Sequence, residues 1–182
     1  QACALNRSAI SPILNEFILP IIKYINRFMN KFDFALILTC TINPVDIPNL
    51  ERNDPNIRFE DYKKSFNFWA NHPRINKIIF IENSNYNIDY FKNFAKNKSK
   101  QIEFFSNNLN NTFDKSLGKG FGQYLSFKEI FEKSSLVKET NYFFNVTGRH
   151  IITNFDEVYN DMVLRKNDIY INLSDNLKFC NT

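Results

Sequence analysis

The sequence of 182 residues predicts an α/β fold, a Rossmann-like open and mostly parallel sheet flanked by helices. Apolar runs of strand length alternate along the chain with segments of helical periodicity. The first run, residues 34–41, is continuously apolar up to its small polar end, as expected for a parallel strand that helices cover on both faces. The length suits one core, and 20 Phe, 8 Tyr and one Trp supply enough apolar surface to exclude a mainly disordered chain.

Strands and helices are predicted to alternate from residue 33 onward. Strands are expected at the apolar runs 34–41, 77–82, 101–106, 141–146 and 168–173. Helices are expected over residues 59–71, 88–98, 122–137 and 156–161. The first of these carries Tyr62, Phe66 and Trp69 at helical spacing and ends before Pro73. This alternation predicts one α/β domain over residues 33–182.

Residues 1–32 are predicted to form a separate N-terminal amphipathic helical segment. Apolar side chains recur at helical spacing between residues 14 and 25, with a kink expected at Pro20. We expect this helix to pack on the domain. The alternative is a membrane-surface helix, because Lys23, Arg27 and Lys31 follow the apolar face. The apolar stretch is too short to predict a membrane span, and the start at Gln1 suggests a fragment or a processed chain.

Charge and cysteine content exclude several classes of protein. Lys and Arg number 23 against 19 Asp and Glu, a mild excess, and no aromatic-plus-basic pattern repeats along the chain. We therefore expect no nucleic-acid partner. The cysteines number three, are widely spaced and include no CxxC pair, so we expect a reducing, cytoplasmic setting and neither a disulfide framework nor a zinc site.

Glycine is scarce, and its placement is informative. The chain has 4 Gly, where about a dozen are expected at average usage. Gly118, Gly120, Gly122 and Gly148 all follow predicted strands. Ligands of open α/β sheets bind beyond the carboxyl ends of the strands, so these positions predict a site. With Lys119 ahead of a helix, the 118–122 segment suits a phosphate or another anion; the alternative is a glycine-rich turn without a ligand.

Polar residues follow the other predicted strands at the same edge. They are Thr39, Thr41 and Asn43 after the first strand, Glu82, Asn83 and Ser84 after the second, and Thr147 and Arg149 around Gly148. Arg149 could hold a phosphate or carboxylate bidentately, or be a surface arginine without a partner. Residues 82–84 could bind a base or ribose, or cap a helix. His72 is predicted to be structural and His150 to lie beside the site.

Five motifs, in this order, resemble a known family. They are residues 36–44 (LILTCTINP), 61–69 (DYKKSFNFW), 81–84 (IENS), 118–122 (GKGFG) and 146–149 (VTGR). The chain from residue 33 resembles bacterial glycosyltransferases of O-antigen, capsule and lipooligosaccharide biosynthesis, with a GT-A-like nucleotide-sugar-binding domain. The family domain is longer, so acceptor-side elements are expected to be missing.

The resemblance implies a hexosyltransferase that uses a nucleotide-sugar donor and a glycan or lipid-linked glycan acceptor, with peripheral association at the inner face of the cytoplasmic membrane. The ends of the first two strands would flank the nucleotide, and the glycine segment would lie beside the sugar-phosphate. Such enzymes commonly carry an Asp-x-Asp metal motif where this chain has residues 147–149. We therefore expect Arg149 and Lys119 to neutralise the leaving diphosphate in place of a divalent metal, with a divalent metal cofactor as the alternative. The alternatives are a methyltransferase-like enzyme and a non-catalytic nucleotide-binding or interaction module.

Overall fold

The computed structural model describes residues 33–44 and 50–165, apart from the side chains of Lys119 and Arg165. The predictions for residues 1–32 and for a strand at 168–173 lie outside the described residues. The strands are β1 (Phe34–Cys40), β2 (Lys77–Glu82), β3 (Gln101–Ser106) and β4 (Tyr142–Thr147). The helices are α1 (Pro55–Asn71), α2 (Asp89–Ala95), α3 (Lys119–Lys133), α4 (Ser135–Glu139) and α5 (Phe155–Arg165).

The described strands form one parallel sheet in the order β3-β2-β1-β4. The register pairs Leu36 with Ile78 on one side and with Phe144 on the other. The chain adds β2 and β3 on one side of β1 and then returns to place β4 on the opposite side. The predicted Rossmann-like parallel sheet is confirmed, and its order reverses between β1 and β4, where such sheets bind ligands.

Helices cover both faces of the sheet. On one face, Ala35, Ile37 and their neighbours on β2 pack against Ile130 of α3 and Leu136 of α4. On the other face, Phe80 contacts Phe66 of α1 and stacks on Phe91 of α2. Both faces of β1 and β2 are therefore buried, which explains why their sequences are continuously apolar.

Several predicted boundaries were wrong by a few residues. β2 and β3 have the predicted bounds, whereas β1 ends at Cys40 and β4 runs one residue later than predicted. Helix α1 begins at Pro55 because the Asp54 carboxylate accepts the backbone N–H groups of Asn56 and Ile57, at 2.7 and 3.3 Å. Pro55 then occupies the first helical position, which tolerates proline.

The helix predicted over residues 122–137 is two helices. Ser134 is extended, with φ −72° and ψ 130°, and its hydroxyl accepts the N–H of Val137 at 3.1 Å to start α4. The carboxylate of Glu103 on β3 also accepts the N–H groups of Ser135 and Leu136, at 3.0 and 3.2 Å. A local cap and a tertiary contact therefore separate α3 from α4 at a point where the sequence periodicity continues.

Among the described helices, none has the length and apolar content needed to cross a membrane.

Candidate functional site

A cavity of about 270 Å³ lies at the carboxyl edge of the sheet. Its walls come from the ends of β1 and β4, the first half of α1, and the loop that joins β3 to α3. It is lined by Thr39, Thr41, Leu50, Arg58, Tyr62, Asn83, Asn110, Phe113, Lys115, Gly118, Gly122, Gln123, Thr147, Arg149 and His150. A second cavity, of about 540 Å³, shares Leu50 and Arg149 with the first.

The structure brings together part of the predicted site. The predicted residues that line the cavity are Thr39, Thr41, Asn83, Gly118, Gly122, Thr147 and Arg149. The predicted residues outside its lining are Asn43, Glu82, Ser84, Gly120 and Gly148. The side chain of Lys119 lies outside the described residues.

Glu82 and Ser84 are buried and hold the edge of the sheet. The Glu82 carboxylate accepts the N–H groups of Ile42 and Ser84, each at 3.1 Å, and of Tyr86 at 2.8 Å. It also accepts the Ser84 hydroxyl, whose oxygen accepts the N–H of Asn43 at 2.9 Å. Burial raises the pKa of Glu82, and these hydrogen bonds oppose the increase. The carboxylate fixes the turns after β1 and β2 and does not face the cavity; the helix-capping alternative also fails, because Ile88 precedes α2.

A chain of side-chain hydrogen bonds links Thr41 and Asn83, which form the floor of the cavity, to α3. The Thr41 hydroxyl donates to Oδ1 of Asn83 at 2.6 Å, and Nδ2 of Asn83 donates to the Ser126 hydroxyl at 3.2 Å. The Thr41 N–H donates to the Tyr62 hydroxyl at 3.1 Å. The floor is therefore held by neighbouring elements before any ligand arrives.

The glycines have three different structural roles. Gly118 has φ 77°, a conformation that favours glycine, and precedes α3. Gly120 and Gly122 belong to the first turn of α3, which therefore begins three residues before the predicted start at residue 122. Gly122 lets the helix approach Phe113, since a Cβ there would lie 3.1 Å from the ring. Gly148 sits where β4 meets β1, and its N–H donates to the Thr39 carbonyl at 2.8 Å.

Gly148→Ala is expected to lower the free energy of unfolding by about 1–3 kcal/mol. An added Cβ would lie 2.8 Å from the Thr39 carbonyl oxygen and 3.3 Å from the Tyr62 ring, and the backbone atom cannot move without breaking the β1–β4 edge. Gly120→Ala is the matched control, because no described atom beyond its chain neighbours and the backbone of its own helix lies within 4 Å of its added Cβ. It is expected to be neutral or to stabilise by up to about 1 kcal/mol. Equal effects of the two changes in urea unfolding would contradict this account.

Arg58 is a cavity residue that the sequence analysis missed. Its side chain donates from Nε to the Thr41 carbonyl at 2.7 Å, from Nη1 to the Arg52 carbonyl at 3.0 Å, and from Nη2 to the Tyr62 hydroxyl at 3.1 Å. The residue is 5% exposed, and no described carboxylate forms an ion pair with it. Its position four residues before Tyr62 on the buried stripe of α1 was the available signal.

Two other groups in the cavity lining, the Tyr62 hydroxyl and the His150 imidazole, have shifted pKa values that favour their neutral forms near pH 7. Burial raises the pKa of the Tyr62 hydroxyl, with the neighbouring Cys40 adding to the increase and Arg58 opposing it. Burial and the Arg149 charge lower the pKa of His150, against the opposing effect of Asp61. The charge of the cavity therefore comes from Arg58, Lys115 and Arg149, and no Asp or Glu belongs to its described lining.

The described residues contain no group of three or more His, Cys, Asp or Glu side chains placed to hold a metal ion. Comparisons with protein-family models, with curated proteins and with solved structures gave no match for this chain.

Proposed function

We propose that this chain binds a nucleotide sugar and transfers the sugar to a growing bacterial surface glycan. One observation supports a phosphorylated ligand: the cavity beyond β1 and β4 presents Arg58, Lys115 and Arg149, with no carboxylate in its described lining. It lies where open parallel sheets bind nucleotides. The sugar-transfer step and the glycan acceptor come from the resemblance of the sequence motifs.

The buried Arg58 is the strongest support for an anionic ligand. Removing a guanidinium from water is costly unless an anion lies nearby. Here the described partners of Arg58 are two carbonyls and a hydroxyl, all uncharged. A diphosphate would supply the missing negative charge and accept short, charge-assisted hydrogen bonds.

The proposed chemistry places positive charge beside the leaving group. As the bond between the sugar and the phosphate breaks, negative charge grows on the departing diphosphate, and a fixed cation stabilises that transition state. We assign this role to Arg149, which lines both cavities, and to Lys119 as its proposed companion. The acceptor is proposed to be a glycan, lipid-linked at the inner face of the cytoplasmic membrane.

The positive charge of the cavity bears differently on the two alternative functions, a methyltransferase-like enzyme and a non-catalytic nucleotide-binding module. The methyl donor S-adenosylmethionine carries a positive sulfonium, which three cations would repel. A methyltransferase-like function is therefore disfavoured. A non-catalytic nucleotide-binding module would use the same cavity without breaking the donor, so turnover distinguishes it.

UDP, UDP-sugars or CMP-sugars are expected to raise the melting temperature of the protein, whereas S-adenosylmethionine and uridine are expected to leave it unchanged. A ligand at 100 times its Kd adds about 2.7 kcal/mol to the stability of the folded state. Uridine is the matched control for UDP, since it lacks only the diphosphate. Stabilisation by S-adenosylmethionine alone would overturn the proposal. Stabilisation by a nucleotide sugar with no release of the nucleotide, with or without a glycan acceptor, would favour the module.

A further inference from the structure

Two buried polar nitrogens in the wall between β3 and α3 have no hydrogen-bond partner in the described part of the chain. They are Nδ2 of Asn110 and Nζ of Lys115. Asn110 is 3% exposed, and both residues line the cavity. They lie on a different segment of the chain from Arg58 and Arg149.

The surrounding structure holds this wall in place. The N–H of Asn110 donates to the Asn83 carbonyl at 2.7 Å. Asp114 accepts the N–H of Ser116 at 2.9 Å, and the Gly118 N–H donates to the Lys115 carbonyl at 3.0 Å. The short turn that carries Lys115 is therefore fixed at both ends.

The protein compensates the Lys115 charge only in part. Nζ lies 4.3 Å from the centre of the Phe113 ring, close enough for a cation–π contact. That ring also touches the Gly122 position of α3. An aromatic face is a weaker partner for a desolvated ammonium than an anion is, and it offers nothing to the Asn110 amide.

We propose that Asn110 Nδ2 and Lys115 Nζ form a second anion-binding subsite, which receives an oxyanion of the bound ligand. An ammonium and an amide N–H are both donors, and together they match the oxygens of a phosphate or a carboxylate. This proposal rests on the proposed function only for the identity of the natural ligand. The oxyanion is either a phosphate of the donor or the carboxylate of an acidic sugar.

Lys115→Met tests the subsite, with Lys128→Met on the exposed side of α3 as the matched control. The dissociation constants of pyrophosphate, UDP, UDP-glucose and UDP-glucuronate are measured by calorimetry. Lys115→Met is expected to raise the dissociation constant of any ligand that the subsite contacts by about 10-fold or more. Weaker binding of all four ligands identifies a phosphate as the bound group, whereas weaker binding of UDP-glucuronate alone identifies a carboxylate.

The melting temperature of the ligand-free protein distinguishes a binding role from a structural one. Lys115→Met removes a poorly compensated buried charge while keeping the side-chain length, so the melting temperature is expected to rise by about 2–4 °C. Asn110→Asp is the second variant. It keeps the size of the side chain but places negative charge in the wall. It is therefore expected to raise the dissociation constants of the same ligands by about 10-fold or more.

Two results would overturn the subsite: unchanged dissociation constants for all four ligands in both variants, or a wild-type protein that binds none of them. Failure of the proposed function is a separate result. The wild-type protein would then bind pyrophosphate through Lys115 and yet release no nucleotide from any donor.

Discussion

Arg149→Ala is expected to lower the rate of sugar transfer about 100-fold or more, because removing one preorganised group that stabilises developing charge typically has an effect of this size. Arg149 follows β4 at the switch point of the sheet and lines both cavities. The dissociation constant of the intact donor is expected to change less than the rate, since the bridging oxygen of the diphosphate gains its negative charge only as the bond breaks. Release of the nucleotide diphosphate from the donor, in single-turnover kinetics, measures the step.

Arg74→Ala is the matched control for this rate effect. Arg74 is an exposed arginine that pairs with Asp156 and lies over the Tyr159 ring, away from the cavity lining. Its replacement is expected to leave the rate within a factor of two of the wild type. An equally small change for Arg149→Ala would remove Arg149 from the proposed chemistry.

Chelation tests whether cations act in place of a metal. Transfer is expected to continue in EDTA if Arg149 and Lys119 supply the positive charge that a divalent ion provides in other enzymes. Activity that EDTA abolishes and that Mn²⁺ or Mg²⁺ restores would contradict the metal-free mechanism.

The sequence predicts the strands of this fold more closely than its helix ends. β2 matches its predicted bounds because a strand covered on both faces is a continuous apolar run, which is visible without any tertiary information. The bounds of β3 are also as predicted, although β3 is an edge strand whose residues are only partly buried or exposed. Besides the local cap from the Ser134 hydroxyl, the break at Ser134 is stabilised by a contact with Glu103 on β3, about 30 positions earlier in the chain. No local pattern contains that contact.

The residues of the candidate site also differ in how far the sequence predicts them. Residues directly after β1 and β4 could be placed because parallel strands bring their carboxyl ends to one edge. Arg58, Asn110 and Lys115 come from a helix and a loop, whose position over the cavity depends on packing against the sheet. Glu82 also follows a strand, but its carboxylate turns toward backbone N–H groups, and sequence position alone does not give that direction.

Glu82→Ala is expected to lower the free energy of unfolding by at least about 3 kcal/mol, since each buried donor left without a partner costs about 1–3 kcal/mol. The change removes the acceptor for the N–H groups of Ile42, Ser84 and Tyr86. These groups belong to the backbone that leaves β1 and β2, so they cannot turn to another partner without distorting the edge of the sheet. The variant also avoids the free-energy cost of burying a carboxylate, but this gain offsets only part of the loss in stability.

Glu60→Ala is the matched control for Glu82→Ala. Its carboxylate is exposed and contacts only Lys63 among the described partners, and the change is expected to stay within about 0.5 kcal/mol of the wild type in urea unfolding. A loss for Glu82→Ala no larger than that of the control would show that the edge of the sheet does not depend on this carboxylate.

The pH dependence of the Glu82→Ala effect gives an independent check, because burial raises the pKa of the Glu82 carboxyl in the folded state. A raised pKa means that the folded protein keeps this proton to higher pH than the unfolded chain does. The stabilising contribution of that proton is complete below the ordinary glutamate pKa of about 4.3 and is lost as the pH rises through the folded value. The difference in unfolding free energy between wild type and Glu82→Ala is therefore expected to narrow over that interval and to stay constant above it. A difference that instead widens with rising pH would show that hydrogen bonds to the ionised carboxylate outweigh its burial, and that the folded pKa is lowered.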